Sequence, residues 1–249
     1  MKLICLGTSG YQPSETRHTS CYFIPEIGVM FDAGTGMFRA RQRLKRPHLD
    51  ILLSHAHLDH IVGLSFVLGW RELNGLESIH VYGEAAKLAS IRENVFSSHI
   101  FPIMPPIQWR ELPAEYSPFT LHCGAKVRWW GQTHPGGSVG YRLDYGEHSL
   151  AYVTDTTARN TDPYLSQLKH VRLLIHECNF DDSQQKMAEL TGHSCLSDVL
   201  DRARDCDVKK LALVHTNPYG NIHEPIQLPE AIVGNGKVVV PHDLDELEF

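Results

Sequence analysis

No apolar run in the 249-residue sequence approaches the roughly 18 residues of a membrane-spanning helix. There is no Cys-x-x-Cys pair either. The six cysteines (Cys5, Cys21, Cys123, Cys178, Cys195 and Cys206) are scattered and read as reduced, mostly buried thiols in a reducing compartment. Positive charge is in deficit, with a formal net charge of −6, which argues against broad electrostatic capture of nucleic acid. The one local basic group, Arg39, Arg41, Arg43, Lys45 and Arg46, falls in a helical stretch and reads as a solvated face. Residues Met1 to Gly7 are too short for the apolar core of a signal peptide and read as a first strand, so the expected compartment is the cytoplasm. No linker-like shift in composition divides the chain. With 42% hydrophobic residues it can bury a sizeable core, and one domain over 1–249 is expected.

What the sequence does have is histidine, concentrated in Leu52-Leu53-Ser54-His55-Ala56-His57-Leu58-Asp59-His60. The apolar run Ile51 to Leu53 before it reads as a buried strand. The polar cluster then lies at the strand's C-terminal end, where open α/β sheets place their ligands. Imidazoles with a carboxylate suit zinc, and with more oxygen ligands manganese or iron. Strand alternation would send His55 and His57 to one side, and a turn at Asp59-His60 would aim those two at a second ion. Without a ligand such a cluster has no packing purpose.

The chain around it alternates strands and helices. Strands are expected at 2–7, 19–25, 28–33, 78–83, 119–121, 126–133, 139–145, 149–155, 173–176 and 210–215. Helices are expected at 37–44, 61–70, 84–96 and 196–204. Ser97 to Trp109, with three prolines among large apolar residues, cannot be a regular helix. It reads as a lid, a homodimer contact or a loop covering the core. Two β-rich halves packed face to face, with helices outside, would account for the pattern.

Further polar residues stand at strand ends. Asp32 is followed by Gly34 and Gly36 and reads either as a partner behind a metal-bound histidine or as a plain turn. His134 precedes Pro135-Gly136-Gly137, Asp155 closes Leu150-Ala151-Tyr152-Val153-Thr154, and His215 closes Leu211-Ala212-Leu213-Val214. His193 precedes an apolar stripe, Leu196, Val199, Leu200 and Ala203, for which Ser194 reads as the N-cap. A helix N-terminus there would favour an anion. His176 reads as structural, and the remaining histidines, His48, His80 and His122 among them, stand in no motif.

His55-Ala56-His57-Leu58-Asp59-His60 resembles the His-x-His-x-Asp-His signature of the metallo-β-lactamase superfamily. The resemblance implies an α/β fold, a four-layer αββα sandwich, with a hydrolytic site on one edge. It implies that His55, His57 and His134 hold one divalent ion, that Asp59, His60 and His215 hold another, and that Asp155 bridges them. Two zinc or manganese ions (iron as a further choice) roughly 3.5–4 Å apart can hold a hydroxide between them, an arrangement suited to phosphodiester hydrolysis. Asp59 is counted with the catalytic residues as well as with the ligands.

Ile175-His176-Glu177-Cys178-Asn179 and Leu190-Thr191-Gly192-His193-Ser194 resemble the paired His-Glu-Ala-Thr and Gly-His-Ser-Thr motifs of the ribonuclease Z branch. That implies His193 as the acid facing the scissile phosphate and Glu177 as its orienter. Departures are equally plain. Only Pro135 to Thr154 separates His134 from Asp155, which leaves no room for the transfer-RNA-gripping arm, and Cys178, Asn179 and Cys195 replace the branch's usual residues. The expectation is therefore a two-metal phosphodiesterase with a small cyclic or nucleotide-like substrate, with no membrane partner. Ribonuclease Z-type cleavage without the arm is one alternative, with nucleic acid then the partner. A lactonase or thioesterase is another, and a non-catalytic metal-binding scaffold a third.

Overall fold

The apolar runs at 2–7 and 48–83 form one sheet and those between 119 and 214 another, each seven-stranded in the computed structural model. The structure describes residues 1–70, 75–158, 162–220, 226–228 and 236–249. In chain order the strands are β1 (Lys2–Gly7), β2 (Cys21–Ile24), β3 (Val29–Phe31), β4 (His48–Leu52), β5 (Ser78–Gly83), β6 (Ile107–Glu111) and β7 (Phe119–Thr120). There follow β8 (Lys126–Gln132), β9 (Ser138–Tyr145), β10 (His148–Val153), β11 (Leu173–Glu177), β12 (Leu211–Val214), β13 (Val238–Val239) and β14 (Glu246–Glu248).

The sheets run β14-β1-β2-β3-β4-β5-β6 and β13-β12-β11-β10-β9-β8-β7. Each begins as an antiparallel meander and ends in parallel strands, β3 to β6 in the first and β10 to β13 in the second. Strand alternation divides the apolar residues between three layers. Leu3, Tyr22, Phe31 and Leu52 of the first sheet meet Val127, Tyr141, Tyr152 and Ile175 of the second. On the first sheet's outer face Phe23, Ile51 and Val81 pack on Met37, Leu64 and Leu88. On the second's, Val153 and Leu174 pack on Leu168, Val199 and Ala203. This is the expected αββα sandwich.

The helical segments differ from expectation in type. Residues Thr35–Arg43 form a 3₁₀ helix, which brings Met37 and Ala40, three apart, onto one buried line. The stretch expected as one helix over 61–70 divides into α1 (Leu58–Ile61) and a 3₁₀ helix, Val62–Gly69. That over 84–96 divides into α2 (Ala85–Ser90) and a π turn, Ile91–Val95. Next come α3 (Leu165–Leu168), α4 (Gln185–Thr191) and α5 (Leu196–Asp205).

The proline-rich segment is irregular until β6 begins at Ile107. Phe101 packs on Phe96, while Ile100, Ile103 and Met104 are exposed. Among the described residues no helix is long and apolar enough to cross a membrane.

Candidate metal centre

β4 ends at Leu52, so strand alternation does not place His55 and His57 as the sequence suggested. The chain leaves the sheet, turning His55 inward and leaving His57 at the surface, with ring centroids 4.4 Å apart. The short α1 then carries Asp59 and His60, in place of the expected turn.

His134, Asp155 and His215 follow the ends of β8, β10 and β12. Asp155 (φ 48°) and His215 (φ 52°) have left-handed backbone, as does Asp32 (φ 54°) beyond β3. That conformation is strained for residues other than glycine, at about 1–3 kcal/mol each, and it swings these side chains off their strand lines into the space between the sheet ends. Asp155 is buried, as are His55, His60 and His215.

The side chains converge. Asp155 Oδ1 lies 3.3 Å from both His60 Nε2 and His215 Nε2. Its Oδ2 lies 3.6 Å from His55 Nε2 and 3.5 Å from His134 Nε2. His57 Nδ1 is 3.4 Å from His134 Nε2, and Asp59 Oδ2 is 3.2 Å from His60 Nε2 and 3.5 Å from His215 Nε2. Two donor groups result: His55, His57, His134 and Asp155, and Asp59, His60 and His215, each with its ligand atoms within 4.8 Å of one another. Burial pushes the Asp155 carboxyl upward, but the imidazoles of His215, His60 and His55 outweigh it and hold it well below the usual carboxylate range. Burial likewise keeps His55 well below the usual histidine value, leaving a neutral ring.

Residues behind the donors fix their directions. Asp32 Oδ2 lies 2.7 Å from His60 Nδ1, so of its two readings the partner role describes its place. Asp32 is itself held by Ser54 N–H (2.6 Å), Ser54 Oγ (2.7 Å) and Tyr152 Oη (2.6 Å). His134 Nδ1 is 3.0 Å from the Gly192 carbonyl. The Asn179 amide, a departure in the sequence motif, donates to the His215 carbonyl at 3.1 Å and lies 3.3 Å from its Nδ1. Sequence reasoning missed Ser54, Tyr152 and the part played by Asn179. Tyr152 sits inside an apolar strand and carries no local signal.

Two glycines keep this layer close. A Cβ at Gly10 would fall 2.5 Å from the His215 ring. One at Gly192 (φ 75°) would fall 2.5 Å from Pro135 Cδ and 2.9 Å from His134 Nδ1.

His193 stands over the two groups, its ring 5.2 Å from that of His134 and 5.3 Å from that of His215. Its Nδ1 lies 3.0 Å from Glu177 Oε1, and Glu177 is fully buried. Burial lowers the His193 pKa, but the charge and hydrogen bond of Glu177 prevail and push it up to about 9. The expected cap differs: Cys195 is the N-cap of α5, while Ser194 Oγ donates to the Thr156 carbonyl and Asp182 accepts from Ser197 N–H. His176 points elsewhere. Burial, with Arg202 adding to it, lowers its pKa to about 3, which keeps it a neutral core residue.

These groups floor an open cleft of about 950 Å³ lined also by Tyr11, Gln12, Leu58, Pro135 and Leu190. Residues 97–109 contribute nothing to its lining. A family model described as a beta-lactamase superfamily domain matches residues 28–216.

The chain belongs to the beta-lactamase superfamily.

Ribonuclease Z of Natronomonas pharaonis is 25% identical over 305 residues, covering 100% of this chain and 98% of that one. Among solved structures, the short form of human tRNase Z superposes with a TM-score of 0.77 at 21% identity, covering 100% and 99%. A diphosphatase from the PhnP family superposes at 0.74 and 20%, covering 100% and 96%. At these identities the structures establish the shared fold.

The superfamily fold implies divalent metal, and the donor set fits it. His55 Nε2 is buried without a hydrogen-bond partner, and it faces Asp155 Oδ2. A buried nitrogen with no partner is costly unless an ion meets it.

Proposed function

We propose that this metal-dependent hydrolase is a phosphodiesterase for a small, cyclic or nucleotide-like phosphodiester, working with two divalent ions in one domain over 1–249. His55, His57 and His134 would hold the first ion, Asp59, His60 and His215 the second, and Asp155 both, each of its oxygens facing one group. Five imidazoles and two carboxylates suit zinc, and manganese next. Bound there, the ions supply positive charge for the phosphoryl oxygens and lower the pKa of water in the cleft.

The rest is done by the chain's own side chains. His193 donates its Nδ1–H to Glu177 and so keeps Nε2 for the cleft, where it can give a proton to the departing alkoxide. Glu177 acts through His193 as a positioning residue. It also accepts from the backbone N–H groups of Thr156 (2.9 Å) and Ser194 (3.3 Å), which fixes its carboxylate. Acyl substrates would need this donor less, since the positive charge that the ions would supply suffices for them; this favours phosphoryl over acyl transfer.

The observation that carries the small substrate is the cleft's lining. Among the described residues it contains no lysine or arginine, where an RNA path would need several. Between His134 and Asp155 the chain makes only the β9–β10 hairpin, with no arm. The rim offers Tyr11, 68% exposed, and Tyr219, 72% exposed, with ring centroids 6.1 Å apart. Tyr11 has left-handed backbone (φ 57°), and its N–H donates to Asp59 Oδ2 at 2.9 Å, so the centre itself fixes this ring's position. Such a pair can take a flat substituent such as a nucleobase.

Ribonuclease Z-type RNA cleavage is the second reading, favoured by the name of the full-length N. pharaonis relative. The test is a screen of zinc- or manganese-loaded protein against cyclic nucleotides, bis(p-nitrophenyl) phosphate, precursor transfer RNA, lactones and thioesters. Turnover of small diesters with poor cleavage of RNA supports the first reading. Efficient RNA trimming with small diesters untouched supports the second, and turnover confined to lactones or thioesters removes both.

A further inference from the structure

β4 serves two clusters. Beyond its C-terminal end lies the centre described above, while its N-terminal half carries His48 and Asp50. In the parallel register of β4 and β5, Asp50 pairs with His80 and His48 with Ser78. Asp50 Oδ1 lies 2.9 Å from His80 Nδ1, with the side chains 1% and 5% exposed. From the other sheet, the turn between β7 and β8 delivers His122. Its backbone N–H donates to Asp50 Oδ2 at 2.8 Å. Its ring stacks on His80 (centroids 5.1 Å, 14°) and lies 3.9 Å from the ring of His48.

A buried carboxylate ringed by imidazoles is an expensive way to fill a gap between sheets. Among the described residues no lysine or arginine forms an ion pair with Asp50. One ligand atom each from Asp50, His80 and His122 lie within 4.8 Å of one another. The 2.9 Å between Asp50 Oδ1 and His80 Nδ1 is near the about 3.3 Å edge of a tetrahedral zinc site with bonds of about 2.0 Å. His48 stands outside this group, its Nδ1 2.9 Å from Ser78 Oγ and its Nε2 3.8 Å from Glu77 Oε2, so a water would complete four. Beside them opens a cavity of about 310 Å³ lined by His48, His122 and Cys123, a path for an ion from solvent.

We infer that Asp50, His80 and His122 form a separate site for a divalent ion such as zinc that fastens the two sheets together. Binding would require the His80 ring proton to move from Nδ1 to Nε2, so that the ion takes its place between Nδ1 and Asp50 with no net proton released. The role is structural: two of the donors come from one sheet and the third from a turn of the other, so the ion adds a link between the sheets beside the chain's own crossing from β6 to β7. The proposal does not depend on the reaction proposed for the cleft.

The test is equilibrium dialysis of the full chain against zinc, followed by metal analysis, for wild type, His122→Ala and His80→Gln. His122 is an exposed turn residue, so its loss leaves the core intact. The expected result is one zinc fewer per chain in each variant, a smaller zinc-induced rise in melting temperature, and hydrolysis of the small diester retained by His122→Ala. Equal zinc stoichiometry in wild type and both variants would overturn the inference. So would loss of zinc in His80→Gln alone, since His122 would then hold nothing.

Discussion

Asp32 Oδ2 stands 2.7 Å from His60 Nδ1, and neither side chain is exposed to solvent. The contact settles which nitrogen of His60 carries the proton. Nδ1–H donates to the carboxylate, which leaves Nε2, 3.2 Å from Asp59 Oδ2 and 3.3 Å from Asp155 Oδ1, as the nitrogen that would meet an ion. Asp32→Asn keeps an oxygen for Ser54 and Tyr152 but removes the charge behind His60. Zinc affinity at the Asp59–His60–His215 group should fall by about 10–100-fold. Competition titration with a chromophoric chelator would show it as weakening of one ion and not the other. Unchanged affinity for both would leave Asp32 a structural residue only.

Much of this centre was legible because its residues stand at the ends of apolar strands, where a change from apolar to polar is visible. His55 to His60, His134, Asp155 and His215 all read that way. The mode of delivery was not legible. His55 and His57 were expected to be placed by strand alternation, but β4 stops three residues before His55, and the left-handed backbone at Asp155 and His215 leaves no mark in a single sequence. Ser54 and Tyr152 were hidden because their roles depend on contacts across 22 and 120 residues. β13 and β14, with two and three residues, are too short for a periodic pattern. The cluster of His48, Asp50, His80 and His122 escaped because parallel strands and a distant turn bring together residues that form no motif.

Gly192→Ala tests how tightly His134 is seated. The new methyl would meet Pro135 and the His134 ring on a backbone with φ 75°. Stability should fall by about 1 kcal/mol or more, read by urea denaturation of the metal-free protein. Metal at the His55–His57–His134 group should weaken with it. Wild-type stability and occupancy together would show that the loop simply moves aside.

The Glu177–His193 pair sets a pH dependence. His193 acts protonated, so the rate should be lost as pH rises through its pKa, which Glu177 raises. Glu177→Gln should move this alkaline limb to lower pH and lower the plateau less than removal of His193 does. The stability contribution has the same sign. It is fully present below the ordinary histidine pKa of 6.5 and fades as pH rises toward about 9. A pH–rate profile whose alkaline limb does not move in Glu177→Gln would detach the carboxylate from the proton donor.

Tyr11→Ala removes the exposed ring and keeps the N–H that reaches Asp59. For a diester with a nucleoside substituent KM should rise about tenfold with kcat nearly unchanged, because stacking is lost equally from substrate and transition state. A small dialkyl diester should show no change. A fall in kcat with KM constant would place Tyr11 in the chemistry instead.

His193 decides between phosphoryl and acyl chemistry. The measurement is steady-state hydrolysis of an unactivated diester and of bis(p-nitrophenyl) phosphate by metal-replete His193→Ala, with metal content determined in the same sample. Rate on the unactivated diester should fall by about 10²–10⁴-fold while both ions stay bound, and far less on the activated one, whose leaving group needs no proton. A metal-replete variant that hydrolyses the unactivated diester at the wild-type rate would remove His193 from the reaction and return lactone and thioester hydrolysis to first place.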